Sequence, residues 1–143
     1  MVQQQDIVGT WRLGSFQLRG EHGEVSYPLG RDLAGYIIYT AEGYMSATLM
    51  RPGRPRFKAG DLLGGTAEEK AAAADGFIAY SGRYTLGPGK VVHHVELSLF
   101  PNWIGGDQDR YINWQDGRLV LSTPPILIDG RQQTAELVWE RLR

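Results

Sequence analysis

Along most of the chain, short runs rich in Val, Ile, Leu, Thr and aromatic residues are cut every ten residues or so by Gly or Pro. Runs of that length and content, bounded by turn residues, read as strands rather than helices. They predict strands near 9–18, 24–27, 35–40, 44–50, 77–86, 91–100, 108–114, 118–122, 126–128 and 134–141. Glu42-Gly43, Asp116-Gly117 and Asp129-Gly130 carry tight-turn chemistry, because Gly and Asp tolerate the positive φ of two-residue hairpins. Strands joined this closely pair as neighbours, so the sheet is expected to run mostly up and down.

Two stretches break the rhythm. Arg51-Pro52-Gly53-Arg54-Pro55-Arg56 cannot form a central strand, since Pro lacks the ladder donor. Thr66-Ala67-Glu68-Glu69 is a capping-box start, followed by Lys70 and four alanines. This predicts a short helix over 67–74, ended by Asp75-Gly76. A long sheet with one helix to cover it leaves too much apolar surface open. Closing the sheet on itself buries that face and removes the edges. The expectation is therefore an all-β fold: an antiparallel up-and-down barrel of 8–10 strands, with one short helix between the fourth and fifth. A barrel of that size encloses room for one small ligand.

Composition narrows the function more than the fold. The length of 143 residues suits one domain, taken here as 1–143. Lys plus Arg number 15 and Asp plus Glu 16, so the charge footprint of a general nucleic-acid binder is missing. No apolar run is long enough to span a membrane, and residues 1–6 hold no secretory h-region. Cys is absent, which excludes disulfides, Cys-bearing zinc sites and thiol nucleophiles and fits a cytoplasmic location. No metal, cofactor, nucleic-acid or membrane partner is expected.

Gly9-Thr10-Trp11 opens the first predicted strand and Leu137-Val138-Trp139-Glu140-Arg141 lies on the last. That pairing resembles the lipocalin and fatty-acid-binding superfamily. Tyr36-Ile37-Ile38-Tyr39-Thr40, Gly43-Tyr44-Met45-Ser46-Ala47, Met50 to Pro55, Gly65 to Lys70, and His93-His94-Val95-Glu96 through Phe100-Pro101-Asn102-Trp103 extend the likeness. Together they resemble the bacterial and fungal lipocalin-like domain family, from Val8 to Arg141. The resemblance implies a calycin-type, lipocalin-like barrel whose Trp11 plugs the closed end while Arg141 packs across its face. It implies no particular chemistry.

Strand alternation selects candidate site residues. In Val91–Leu99, one row holds Val91, His93, Val95, Leu97 and Leu99, and the other Val92, His94, Glu96 and Ser98. The apolar row reads as barrel interior, with His93 its one polar member. A one-residue bulge would instead turn His94 and Glu96 inward. Tyr80, Gly82 and Tyr84 share a face on the preceding strand, so Tyr84 is expected as the hydrogen-bonding partner of His93. Arg110 alternates with Ile112 and Trp114; a guanidinium in such a row needs a partner, either a protein carboxylate or a ligand oxygen. Tyr36, Tyr84, His93, Leu97 and Trp139 are expected to line the cavity with Tyr80, and Arg110, Tyr44, Met45, Asn102 and Trp103 to lie nearer its mouth. Each of these also has a plain packing role.

Three functions fit. The first is binding of a small hydrophobic or amphipathic metabolite. The second is cofactor-independent proton-transfer chemistry, of isomerase, cyclase or lyase type, with His93, Tyr84 and Arg110 as the catalytic residues. The third is haem ligation by His93. The sequence leaves all three open, with binding first.

Overall fold

In the computed structural model, which describes residues 2–143, the chain closes into a barrel. The strands in chain order are β1 (Gly9–Arg19), β2 (Val25–Ser26), β3 (Ala34–Tyr39), β4 (Tyr44–Met50), β5 (Phe77–Gly87), β6 (Lys90–Ser98), β7 (Asp107–Gln115), β8 (Arg118–Ser122), β9 (Ile126–Ile128) and β10 (Arg131–Arg141). All pairings are antiparallel. The order β1-β3-β4-β5-β6-β7-β8-β10 returns to β1 through the β1–β10 pairing, which closes eight strands. β2 and β9 are short additions beside β1 and β10. Two helices complete the fold, α1 (Gln4–Ile7) and α2 (Ala67–Asp75), with a 3-10 turn at Pro101–Trp103.

The local chemistry works as the residues dictate. Asp116 and Asp129, each followed by Gly, sit at φ 52° and turn the hairpins β7–β8 and β9–β10. Thr66 caps α2: its hydroxyl accepts from the Glu69 amide at 3.1 Å, and the Glu69 carboxylate accepts from the Thr66 amide at 2.9 Å. The helix runs to Asp75 and buries none of its side chains.

Two bulges set which side chains enter the barrel. In β1 the register with β10 slips between Leu13 and Ser15, so Trp11 and Leu13 point inward before it, and Phe16 and Leu18 after it. In the β5–β6 ladder Gly82 faces Val95 while Ser81 faces Leu97, which leaves Glu96 as the extra residue. The bulge presses the β6 backbone onto β5. A Cβ at Gly82 would run into the His94 carbonyl oxygen, so only glycine fits there.

The barrel has two unlike ends. One is plugged. Ile7 of α1 is fully buried, its carbonyl accepts from Trp11 Nε1 at 2.9 Å, and the Arg141 guanidinium lies 4.2 Å from the centre of the Trp11 ring. Arg141 also donates to the carbonyls of Val8 at 2.7 Å and Asp6 at 2.6 Å. The Trp11–Arg141 contact expected from the resemblance is thus present. At the other end, where α2 and the 3-10 turn lie, the interior is hollow.

Candidate functional site

The hollow half holds a cavity of about 550 Å³, within the range of roughly 300–1,000 Å³ usual for small-molecule pockets. Its walls are mainly apolar: Phe16 and Leu18 of β1, Leu49 of β4, Phe77 and Ile78 of β5, and Leu121 of β8 are among them. Polar side chains converge on its inner part, where Tyr80, His93, Arg110 and Trp139 all contribute to the wall.

His93 is the hub. It is 1% exposed, as the alternation of β6 predicts for the residues before the bulge. Tyr39 Oη lies 2.6 Å from its Nε2, and Tyr80 Oη lies 2.8 Å from its Nδ1. Both ring nitrogens are therefore engaged by phenols. Burial pushes the His93 imidazolium well below its ordinary value of 6.5, and the nearby Arg110 cation adds to the shift. The imidazole is neutral at pH 7. Burial likewise raises the Tyr39 and Tyr80 phenols, and Arg110 offsets part of the rise on both.

Arg110 is 7% exposed. It donates to the Asp109 carbonyl at 2.9 Å, reaches the Gln108 side-chain oxygen only at 3.5 Å, and lies against the Tyr80 hydroxyl, whose burial-raised phenol it lowers in part by charge and hydrogen bonding. Among the described residues no carboxylate lies within 4 Å of it. A buried cation without a counter-charge is costly. This one stands in the cavity wall.

Of the residues named from the sequence, Tyr80, His93, Arg110, Trp103 and Trp139 come together around the cavity. Trp103 packs edge-on against Tyr80, with ring centres 5.3 Å apart. The others require correction. Tyr84 is opposite His93 in the ladder, but its hydroxyl donates to the Thr40 carbonyl at 2.7 Å and accepts from Gln4 Nε2 at 3.2 Å. The long phenol reaches past the imidazole, so it does not partner His93. Tyr36 is 48% exposed, because β3 buries Ile37 and Tyr39 and turns Tyr36 and Ile38 outward. Leu97 is 69% exposed, because the Glu96 bulge shifts the alternation and gives Ser98 to the cavity wall instead. Tyr44 lies on the outer face of β4 beneath the Arg83 guanidinium. Met45 faces inward but packs in the core, away from the cavity. Asn102 is exposed on the 3-10 turn, while its neighbour Trp103 is drawn in.

His94 and Glu96 stay outside. His94 Nδ1 is 2.8 Å from Asp107 Oδ1, and its Nε2 is 2.9 Å from Thr85 Oγ1. Sequence reasoning missed Tyr39, which completes the His93 pair. Both rows of Tyr36-Ile37-Ile38-Tyr39 are apolar, so alternation by itself could not choose between them.

A plugged barrel with a lined internal cavity agrees with the comparison against known families, in which a lipocalin-like domain matches residues 8–142. The chain belongs to the lipocalin-like domain family. A relative from Aspergillus oryzae (strain ATCC 42149 / RIB 40), the 4'-hydroxy-3'-methoxypropiophenone carrier protein ppsC, is 41% identical over 107 residues. The match covers 68% of this chain and 96% of that protein. In this lipocalin-like domain no helix among the described residues is long and apolar enough to cross a membrane.

Proposed function

We propose that the barrel carries a small amphipathic molecule, an oxygen-bearing aromatic compound being the class that suits it best. The observation that carries this reading is Arg110: a buried guanidinium in the wall of a mainly apolar cavity, with no carboxylate within 4 Å among the described residues. Such a group is satisfied when an occupant brings an oxygen to it. Aromatic walls from Phe16, Phe77, Phe100, Trp103 and Trp139 suit a flat ring. The name of the Aspergillus relative, a carrier of a hydroxylated and methoxylated aryl ketone, supports the same class.

The geometry favours carriage over proton-transfer catalysis. His93 is neutral, and both of its ring nitrogens are already held by tyrosines. The test is a calorimetric titration of the purified protein with 4'-hydroxy-3'-methoxypropiophenone. One-to-one saturable binding is expected, weakened tenfold or more by Arg110→Met, in line with a lost hydrogen bond to a charged group worth about 1.5–3 kcal/mol. Absence of binding to this compound and to simpler aryl ketones would remove the proposal.

A further inference from the structure

The two tyrosines on His93 are not equivalent. Tyr39 is 1% exposed, and His93 Nε2 is the hydrogen-bond partner its hydroxyl has among the described residues. Tyr80 also touches His93, but it belongs to the cavity wall. A neutral imidazole has one N–H and one bare nitrogen, so only two arrangements exist. In one, Nε2–H donates to Tyr39, and the Tyr39 proton is shut into the core with no acceptor. In the other, the Tyr39 hydroxyl donates to a bare Nε2 and His93 Nδ1–H to Tyr80 Oη, so the Tyr39 and His93 hydrogens are both used. Buried polar hydrogens are rarely left unpaired, so the second arrangement is favoured.

We infer that the relay runs one way, from the Tyr39 hydroxyl to His93 Nε2 and from His93 Nδ1–H to Tyr80 Oη, leaving the Tyr80 proton to be donated to the cavity's occupant. A second observation points the same way. The Arg110 guanidinium, which can only donate, hydrogen-bonds the Tyr80 hydroxyl in the same wall, so Tyr80 Oη accepts there as well and its own proton is free to turn to the cavity. With the Arg110 guanidinium, the inner cavity presents donors: a phenol and a cation. The polar end of the occupant is then an acceptor oxygen, in a carbonyl, an ether or a carboxylate. This rests on the carrier reading and specifies the chemistry of its cargo. Tyr80 becomes a specificity-determining residue, and Tyr39, which touches no ligand, a positioning residue that fixes the tautomer.

Two measurements test it. Long-range proton–nitrogen NMR of the histidine-labelled free protein reads the tautomer directly, with His93 assigned through His22→Gln and His94→Gln. A protonated Nδ1 and a bare Nε2 are expected; the reverse tautomer overturns the relay whatever the ligand. Affinities are then compared for butyrophenone, 4-phenylbutanoate and butylbenzene, which share an arene and differ in oxygen. An oxygenated member should bind about tenfold or more tightly than butylbenzene, and whichever leads separates a carbonyl from a carboxylate cargo. Tyr80→Phe should bring that preference towards parity without changing butylbenzene. Tyr39→Phe should mix the tautomers and lower the preference several-fold. Equal binding of all three compounds to the wild-type protein would overturn the donor role while leaving carriage intact. Binding of none would remove carriage, and the donor role with it.

Discussion

Arg110 and Arg141 both point into the barrel, and their surroundings could hardly differ more. Arg141 donates to two backbone carbonyls at 2.6 and 2.7 Å and covers the Trp11 ring. It belongs to a plug that is finished. Arg110 has one carbonyl at 2.9 Å, a stretched contact at 3.5 Å and the Tyr80 hydroxyl beside it, in the cavity wall. One arginine completes a core and the other waits for a partner. The difference separates stability from recognition within a single barrel: groups whose bonds are all made hold the fold, and groups with bonds left over face the cavity.

Substitutions at the two ends should sharpen this contrast. The largest effect is expected at the plug, where Trp11→Ala should lose about 3–5 kcal/mol in urea unfolding, as for other large-to-small core changes. If it loses under 1 kcal/mol, the closed end is not where stability resides. Next comes the arginine pair. Arg141→Met should cost about 2–3 kcal/mol, from its charged hydrogen bonds and the indole contact, and leave aryl-ketone binding unchanged. Arg110→Met should do the opposite, weakening binding while stability holds or rises by about 1 kcal/mol, since an unpaired buried charge is removed. Parallel losses in both variants and both assays would erase the distinction.

His93 adds a dependence on pH. Its folded value lies well below the ordinary 6.5, so the unfolded chain binds the proton more readily. The stabilising effect of keeping His93 neutral is whole above about pH 6.5 and declines as pH falls below it. Thermal unfolding from pH 7.5 to 5 should show that decline, and His93→Gln should flatten it. The smallest effect is expected at the rim of the hollow end. Thr66→Ala removes the cap of the exposed helix α2 and should cost about 1 kcal/mol or less, with the plug unaffected.

Much of this was legible in the residues. Strand positions followed from turn chemistry and alternation, and the capping box placed α2 to within a residue. His93 was found inside because its row is apolar and no bulge precedes it. The errors cluster where alternation carries no information or is interrupted. Tyr36-Ile37-Ile38-Tyr39 is apolar on both faces, so the wrong tyrosine was placed inside. Leu97 was misplaced because a bulge depends on how two backbones meet, and Gly82, which permits it, looked like an ordinary glycine in a strand. Tyr84 was paired with His93 on ladder position alone, but where a phenol ends is decided by its length and by the nearest free carbonyl. The small helix α1 is a single turn, too short to leave a periodic trace.

The bulge at Glu96 has a wider consequence for how such a barrel can change. If the same residues ran on in regular register, β6 would keep its rhythm past Val95, and Leu97 would point inward where Ser98 now lines the wall. The strands would still close, but a large aliphatic group would occupy part of the chamber. Capacity is thus set by where one ladder slips rather than by the size of any side chain. Deleting Glu96 would straighten the ladder and keep Leu97 outside, whereas moving the slip elsewhere along β6 would change what the barrel holds while its architecture stood unchanged.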